Sequence, residues 1–159
     1  MTQDQLLNLY DQYADHVYRL ALSYLRSPAD AEDIVQTVFI KLLERKVSLP
    51  EDKEKTYLLT ITANACKDLL RSSYRKRRAD YEEAEQISVT DTFTSEEGEL
   101  FRAMYNISEK YRIAIHLHYY EGYTYQEISK MLHISPSAVS MRIHRGCEEL
   151  RQLLDKDLH

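Results

Sequence analysis

The stretch HISPSAVSMRIHRG, residues 133–146, has the pattern of a tight turn followed by a helix with a basic, hydroxyl-bearing side. Ser135 is a preferred helix N-cap residue, and Pro136 suits the first turn of a helix. Upstream, Thr124 and Glu127 have the spacing of a capping box, which starts a shorter helix that ends just before this stretch. Two helices joined by a short turn predict a helix-turn-helix.

A helix-turn-helix needs two helices held at a fixed angle, with the N-terminal half of the second helix exposed. The apolar residues spaced to hold the two helices together are Ile128, Leu132, Ile134, Val139 and Ile143. The residues left for solvent or DNA are Ser137, Ser140, Met141, Arg142, His144 and Arg145. Serines and a helix N-terminus bind phosphates, whereas arginine binds guanine edges in the major groove. The spacing alone leaves open an ordinary helical hairpin with a solvated polar face.

Composition favours helices throughout the chain. Hydrophobic residues make up 43 % of the 159 residues, and only 3 glycines and 3 prolines are present. Few glycines and prolines favour long helices over a hairpin-rich β fold. We predict an all-α protein with two small helical domains, residues 1–79 and 99–159, joined by a flexible acidic linker over residues 80–98. The helix-turn-helix belongs to the second domain.

The formal net charge of -5 hides an uneven charge distribution. Residues 67–78, KDLLRSSYRKRR, contain six basic residues and one acid, whereas residues 79–100 contain eight acids and no lysine or arginine. Local patches rather than total charge govern contact with nucleic acid. The acidic stretch has no clear period, and we expect residues 82–94 to be mobile.

Helical spacing predicts three helices in the first domain, over about residues 4–26, 28–45 and 53–77. The side chains expected to face inward from the second helix are Ala31, Ile34, Val35, Val38, Leu42 and Leu43. In the second domain, a helix over about residues 108–121 is expected to supply Tyr111, Ile113, Leu117 and Tyr120 to the core.

Several function classes are disfavoured by the sequence. The chain has no nucleophile–base pair, phosphate-binding loop or Cys/His cluster, so we expect no enzyme activity, cofactor, metal or small-molecule substrate. His116 and His118 are the histidines that lie closest to each other in the sequence. They are two residues apart, which points them away from each other on a helix and disfavours a shared metal ion. The sequence has no apolar run long enough to cross a membrane and no secretory signal, so a cytoplasmic location is expected.

Three segments resemble one protein family. Residues 120–154, YEGYTYQEISKMLHISPSAVSMRIHRGCEELRQLL, resemble the C-terminal promoter-binding domain of extracytoplasmic-function sigma factors, which belong to the sigma-70 family. Residues 13–45, YADHVYRLALSYLRSPADAEDIVQTVFIKLLER, are similar to the N-terminal domain of that family. Residues 56–78, TYLLTITANACKDLLRSSYRKRR, are similar to its DNA-melting helix. The segments occur in the family's order and cover nearly the whole chain.

The resemblance implies a dissociable sigma subunit, which is not an enzyme. Such a subunit binds core RNA polymerase, recognises two promoter elements and helps to open the duplex. The implied partners are the large subunits of core polymerase, promoter DNA and an anti-sigma factor, which in this family is often membrane-bound. Two alternatives remain open: a stand-alone helix-turn-helix regulator, and a protein-interaction module that binds a sigma-like partner. The sigma factor needs polymerase to bind promoter DNA, the regulator binds a palindrome alone, and the module binds neither.

The resemblance also assigns residues to three surfaces. The core-polymerase-binding residues are Asp30, Asp33, Gln36 and Thr37, where Thr37 occupies a position that is usually acidic. The residues for the minus-ten DNA element are Asn64, Lys67, Asp68, Arg71 and Arg75, and the loop at residues 47–54 would complete a base pocket. The residues for the minus-thirty-five element are Ser135, Ser137, Ser140, Arg142, His144 and Arg145.

The chain departs from the family pattern at several positions. It has no tryptophan, and Leu43 and Tyr57 stand where tryptophan is frequent. His133 occupies the turn position usually held by glycine, where the backbone tends toward the left-handed region. Ser129 and Gly146 stand at positions where alanine is common.

Overall fold

The structure is a computed structural model that describes residues 2–45, 49–76 and 95–157. Within these ranges it describes the side chains of all residues except 73–76, 95–97, 101 and 156–157. Every regular element in the described ranges is helical, which confirms the all-α prediction. The chain divides into two compact units, residues 1–85 and 86–159. The mobile linker expected over residues 82–94 lies outside the described residues.

Three long helices form the first unit where the structure describes it. Helix α1 covers Gln3–Leu25, α2 covers Pro28–Glu44, and α3 covers Glu54–Lys76. A short 3₁₀ turn, Glu51–Lys53, leads into α3. Each of the three helices packs against the other two, so the unit has one shared core.

Local hydrogen bonds set where α1 and α2 begin. The Thr2 amide donates to Gln5 Oε1 at 2.9 Å and the Gln5 amide donates to Thr2 Oγ1 at 3.2 Å, which is a complete capping box. The Ser27 hydroxyl accepts from the Asp30 amide at 3.2 Å at the start of α2. Between the helices, Arg26 has left-handed backbone with φ 57°. This two-residue connection makes α1 and α2 antiparallel neighbours.

Two contacts show the register of the α1–α2 pair. The Tyr10 ring meets the Phe39 ring edge-on, with 5.1 Å between centroids. Further along the pair, burial and then the carboxylates of Glu32 and Asp15 raise the pKa of the Tyr18 hydroxyl above its usual value, so Tyr18 lies near Glu32. The ring contact and the effect of Glu32 on Tyr18 agree with an antiparallel pair. Residues further along α1 lie beside residues nearer the start of α2.

The core of the first unit is formed by fully buried aliphatic side chains with two small polar ones. The largest fully buried residues are Val17, Leu20, Val38, Leu42, Leu58, Leu59, Thr62 and Cys66. The Thr62 hydroxyl donates to the Leu58 carbonyl at 2.6 Å, so its burial leaves no unmet donor. The expectation that Leu43 faces inward was wrong, since it is 53 % exposed. Leu42 takes the inward position, and one residue further turns the side chain about 100° around the helix.

The described part of the second unit contains four helices and one irregular turn. Helix α4 covers Ser95–Asn106, α5 covers Glu109–Ile115, α6 covers Tyr125–Leu132, and α7 covers Pro136–Asp157. A π-helical turn, His116–Tyr120, follows α5 directly. Helix α7 packs against α4, α5 and α6, so it forms the centre of this unit.

A buried arginine joins α4 to α5. Arg112 is 3 % exposed, and its Nη1 donates to the Ile107 carbonyl at 3.1 Å. Its guanidinium also lies 5.3 Å from the centroid of the Tyr105 ring. Arg112 of α5 therefore donates to a carbonyl just beyond the end of α4, and it also stacks on Tyr105, an aromatic residue of α4.

The π-helical turn changes which side chains reach the core. The Glu121 amide donates to the His116 carbonyl at 3.1 Å, which is the five-residue spacing of a π turn. Leu117 is fully buried as expected, but the prediction of a core position for Tyr120 was wrong, because half of it is exposed. Its ring stacks on His116 with 4.9 Å between centroids. The extra residue in the turn shifts Tyr120 away from the inward face.

Gly146 allows α7 to approach α5 closely. A Cβ atom at Gly146 would lie 2.5 Å from Ile115 Cδ1 and 2.9 Å from Tyr111 Cβ. The Tyr111 Cβ atom is attached to the α5 backbone, so it moves only if the helix moves. Glycine rather than alanine therefore fits this position.

Replacing Gly146 with alanine should destabilise the chain. Alanine improves helix propensity by about 0.5–1 kcal/mol, but overpacking a tight contact costs about 1–3 kcal/mol. We expect a net loss of about 1 kcal/mol, measured as a lower midpoint of thermal unfolding by circular dichroism. Ile115→Val removes the closest atom, so the double variant should lose less stability than the two single losses added together. An unchanged or higher midpoint for Gly146→Ala would contradict this packing.

Candidate functional site

The first helix of the predicted helix-turn-helix begins as the sequence indicates. The Thr124 amide donates to Glu127 Oε1 at 3.0 Å and the Glu127 amide donates to Thr124 Oγ1 at 3.1 Å. Both halves of the capping box are present, and α6 ends at its C-cap residue, His133.

The turn between α6 and α7 is held by a serine and a left-handed residue. His133 has φ 58° and ψ 43°, which confirms the left-handed backbone expected there. The Ser129 hydroxyl donates to the Ile134 carbonyl at 2.6 Å, and the Ile134 amide donates to the Ser129 carbonyl at 3.1 Å. Serine at this position therefore adds a side-chain bond across the turn that alanine cannot make. On the far side, the Ala138 amide donates to Ser135 Oγ at 3.1 Å and caps α7.

The rotation of α7 separates the predicted DNA-binding residues into two groups. The buried side of the helix carries Val139, Ile143 and Gly146. The exposed members of the predicted set are Ser135, Ser137, His144 and Arg145, whereas Ser140 and Arg142 are half-buried on the flanks. Met141 projects outward and is 50 % exposed. Of the two arginines, Arg145 is the one presented to the outside.

Helix α2 exposes a continuous stripe on the side opposite the core. The predicted residues Asp33, Gln36 and Thr37 are exposed on this side, and Ile40 and Leu43 continue it at 54 % and 53 % exposure. We call these five residues the α2 stripe. The sequence did not predict that Ile40 and Leu43 lie on the surface, because an exposed apolar residue breaks the amphipathic pattern of a helix.

Asp30 is placed differently from the rest of the predicted set. It is half-buried in the first turn of α2, where its amide donates to Ser27 Oγ. A carboxylate at this position also interacts favourably with the positive end of the helix. Asp30 therefore has a clear role in starting α2, in addition to the surface role predicted for it.

A cavity of about 330 Å³ lies between α2 and α3. We call it the α2–α3 pocket, and it is lined by Lys41, Glu44, Arg45, Tyr57, Ile61 and Asn64. Arg45 Nη1 donates to the Tyr57 hydroxyl, and the guanidinium lies 5.7 Å from the centroid of that ring. An aromatic ring, an aliphatic side chain, an amide, one carboxylate and two basic groups thus surround one space.

Asn64 is the only lining residue that the sequence predicted as a site residue. Arg45 and Tyr57 are 12 residues apart, and no local pattern connects them. The one feature of the sequence that pointed to this pocket was Tyr57, which stands where the sigma factors that this chain resembles often have tryptophan. Residues 46–48, part of the loop expected to complete the pocket, lie outside the described residues.

Further along α3, the predicted residues form an exposed polar side. Asp68 and Arg71 are exposed, Lys67 is half-buried, and Arg71 Nη2 lies 3.8 Å from Asp68 Oδ1. A pair exposed to this degree contributes about 0–1 kcal/mol, so Arg71 remains available to other anions. Arg75 lies in α3, but its side chain is outside the described residues.

A second cavity has the opposite electrostatic character. It measures about 1030 Å³ and lies between the first half of α1 and the segment before α3. Its polar lining consists of amides and carboxylates, including Glu51, Asp52 and Glu54. Burial, followed by the nearby Glu51 carboxylate, raises the pKa of Glu54 above its usual value. Leu49, Glu51, Asp52 and Glu54 belong to the loop expected to complete a base pocket, so the described part of that loop lines this cavity and not the α2–α3 pocket.

The two histidines considered for metal binding are used otherwise. His118 donates from Nδ1 to the Tyr123 carbonyl at 2.8 Å, and His116 stacks on Tyr120. Among the described residues, no group of three or more His, Cys, Asp or Glu side chains could hold a metal ion. None of the helices in the described ranges is long and apolar enough to span a membrane.

A helix-turn-helix in one unit, and a basic helix beside a pocket in the other, define a helical DNA-binding protein. Residues 9–82 match the model of Sigma-70 region 2, and residues 98–150 match that of Sigma-70 region 4. The chain belongs to the sigma-70 family of transcription initiation factors, in its extracytoplasmic-function group.

Relatives match over nearly the full chain. RNA polymerase sigma factor CarQ of Myxococcus xanthus is 31 % identical, with 96 % of this chain and 90 % of the relative covered. ECF RNA polymerase sigma factor SigE of Mycolicibacterium smegmatis is also 31 % identical, with 93 % of this chain and 61 % of the relative covered. The sigma factor RpoE of Bartonella quintana, solved in complex with the anti-sigma factor NepR, has the same fold at TM-score 0.76. It is 20 % identical, and 96 % of each chain is covered.

His133 should be replaceable by glycine with a gain in stability. A non-glycine residue in left-handed backbone costs about 1–2 kcal/mol, which glycine avoids. Glycine also increases the entropy of the unfolded chain, and this offsets part of the gain in stability. We expect His133→Gly to raise the unfolding free energy by about 0.5–1 kcal/mol in urea titrations. His133→Val is the matched control, since a β-branched residue should lower it. Equal stability of the two variants would show that this backbone carries no strain.

Proposed function

We propose that this chain is the dissociable sigma subunit that directs bacterial core RNA polymerase to specific promoters and helps to open the DNA. The observation that carries the proposal is the presence of both sigma-70 regions in one chain, at residues 9–82 and 98–150. Each region also carries its own candidate DNA-binding surface. We assign the chain no catalytic step, and we place its work in the cytoplasm with the polymerase.

The proposal divides the work between the two domains. Residues 1–79 bind core polymerase and melt the minus-ten element, residues 99–159 read the minus-thirty-five element, and the acidic residues 80–98 connect them. Each domain alone offers few DNA contacts, and polymerase fixes both in position, so the free chain binds a promoter weakly. The local basic surfaces bind DNA even though the whole chain is acidic.

The α2 stripe is the proposed docking surface for core polymerase. Asp33, Gln36 and Thr37 supply hydrogen-bonding groups, and Ile40 and Leu43 supply apolar contacts on the same side. Residues at this three- and four-residue spacing meet a partner helix along one line. A helical surface of a polymerase large subunit fits this geometry, and Ile40 and Leu43 add apolar contacts beyond Thr37, where the family usually has an acid.

The α2–α3 pocket is the proposed site for an unstacked base of the minus-ten element. Flipping a base out of a duplex costs about a few kcal/mol, and stacking on an aromatic ring recovers about 1–3 kcal/mol per base. Tyr57 supplies the ring, Asn64 supplies an amide for the base edge, and Arg45 holds the ring in place. Lys67, Arg71 and Arg75 follow along α3 and bind the strand backbone.

The second domain is proposed to read the minus-thirty-five element through α7. Ser135 and Ser137 lie at the helix N-terminus, where backbone amides and hydroxyls bind phosphate. His144 and Arg145 on the exposed side face the major groove, Ser140 on the flank lies at its edge, and Met141 adds an apolar contact suited to a thymine methyl group. Arg142 on the flank binds phosphate.

An anti-sigma factor is the proposed regulatory partner. The structurally similar RpoE of Bartonella quintana was solved with the anti-sigma factor NepR. We propose that such a partner competes with polymerase for the α2 stripe, the exposed surface on which polymerase is proposed to dock.

In vitro transcription from a promoter library tests the proposed function. Core polymerase together with this chain should initiate at a defined set of promoters, and either component alone should not. The free chain should bind the same promoters weakly. Tight and specific binding of the free chain to a palindrome, with no effect on polymerase, would identify a stand-alone regulator instead.

Asn64→Ala should impair strand opening. We expect about a tenfold loss of open complex on duplex promoters, which corresponds to about 1.4 kcal/mol, because the amide contact to the base edge is lost. Permanganate reactivity of unpaired thymines measures the effect. A pre-melted template should restore most of the activity. The matched control is Asn106→Ala, an exposed helical asparagine of the second unit, and wild-type opening by Asn64→Ala on duplex DNA would refute the role of Asn64.

Arg145→Ala and Arg142→Ala should differ in their effects on promoter choice. Losing a bidentate contact to guanine relaxes discrimination by about 1–3 kcal/mol at one position, whereas losing a phosphate contact weakens all sequences evenly and lowers the salt dependence. Because Arg145 faces outward, we expect relaxed preference for Arg145→Ala and uniform weakening for Arg142→Ala. Holoenzyme binding to a library of minus-thirty-five sequences measures both. The reverse assignment would show that α7 meets DNA at another rotation.

A further inference from the structure

The α2–α3 pocket contains one carboxylate, which belongs to Glu44. Glu44 is exposed in the last turn of α2, and within the described ranges no ion pair joins it to another residue. A carboxylate repels the phosphates of a nucleic acid, and when ionised it only accepts hydrogen bonds. Its place in a pocket proposed to hold a base therefore indicates a base that donates hydrogen bonds to it.

The two walls of the pocket differ in chemistry. Tyr57, Ile61 and Asn64 follow one another at four- and three-residue spacing, so they form one side of α3. Lys41 and Glu44 are three residues apart on α2 and form a charged wall. A flat base between the walls contacts the aromatic and aliphatic side chains with its face, and its edge meets the amide, the ammonium group and the carboxylate.

The carboxylate of Glu44 distinguishes the four DNA bases by their hydrogen-bond donors. Only guanine places two donors side by side on its Watson–Crick edge, N1–H and N2–H, and the two oxygens of one carboxylate accept them together. Cytosine and adenine each offer one amino group. The N3–H of thymine lies between two carbonyl oxygens, which a carboxylate repels. Guanine also has the acceptors O6 and N7, which suit the amide of Asn64 and the ammonium group of Lys41.

We propose that the α2–α3 pocket selects guanine as the unstacked base and that Glu44 determines this specificity. The proposal rests on the proposed function and adds to it the identity of the base. Proteins read an unstacked base through its Watson–Crick edge and by stacking on its face. Here Glu44 accepts from N1–H and N2–H, the Asn64 amide donates to O6, and the Tyr57 ring stacks. A base without the paired donors leaves the carboxylate unsatisfied, which disfavours that base.

Transcription by the holoenzyme from promoters with a randomised minus-ten element tests the assignment. At one position of the non-template strand, the wild type should prefer guanine over each other base by about tenfold. Glu44→Gln keeps the size of the side chain but replaces one acceptor with a donor, so the preference should fall to about twofold or less. Glu99→Gln is the matched control, since Glu99 is an exposed glutamate of α4, and it should keep the wild-type preference. Because both glutamates are exposed, neither variant should change the thermal unfolding midpoint.

Inosine isolates the contact between the base and Glu44. It lacks only the N2 amino group of guanine, so it loses one of the two donors and keeps N1–H, O6 and N7. A pre-melted template removes the effect of inosine on base pairing. On that template, replacing the selected guanine with inosine should weaken holoenzyme binding by about fivefold for the wild type and by less than about twofold for Glu44→Gln. An equal loss for both proteins would overturn the role of Glu44.

The outcomes separate this specificity from the proposed function. If core polymerase with the wild-type chain initiates at no promoter, the proposed function fails. If it initiates and Asn64→Ala impairs strand opening, but Glu44→Gln leaves the base preference unchanged, only the guanine assignment fails. A preference for another base that depends on Glu44 would also overturn the assignment of guanine.

Discussion

Burial of one side of α7 is the constraint on which the recognition surface depends. Val139, Ile143 and Gly146 face the core of the second unit, and the contact between Gly146 and α5 leaves no space for even one added carbon. This packing fixes the rotation of α7 about its own axis. The rotation in turn decides that Arg145 faces outward while Arg142 lies on the flank. A change of packing in the interior would therefore change which side chains α7 presents on its exposed side.

The same constraint acts on the first unit, with a different result. The buried face of α2 fixes the rotation of that helix, so its opposite side forms a stripe that is polar at one end and apolar at the other. Pairing with α3 forms a pocket at the C-terminal end of the helix. One amphipathic helix thus borders two surfaces with separate chemistry, because its outer side faces solvent and its C-terminal end lies beside α3.

Charge is organised on the scale of these surfaces rather than of the whole chain. The pocket between α2 and α3 has two basic groups, an amide and one carboxylate, whereas the larger cavity beside α1 has carboxylates and amides and no basic group in its lining. Surface charges act mainly within about 10 Å at ordinary salt. An acidic chain can therefore present a nucleic-acid surface on one side of a small unit and repel phosphate on another.

The sequence by itself determined the three helices of the first unit, the caps of α6 and α7, and the turn of the helix-turn-helix. Each of these depends on hydrogen bonds between residues three to five apart, as in the Thr124–Glu127 capping box or the Ser129–Ile134 pair. Only the tertiary structure decided three other features: the exposure of Leu43, the tight contact at Gly146, and the hydrogen bond from Arg45 to Tyr57. Local patterns specify whether a segment forms a helix or a turn, and where a helix begins and ends. Only the packing of separate helices decides how far each one rotates and which distant side chains meet.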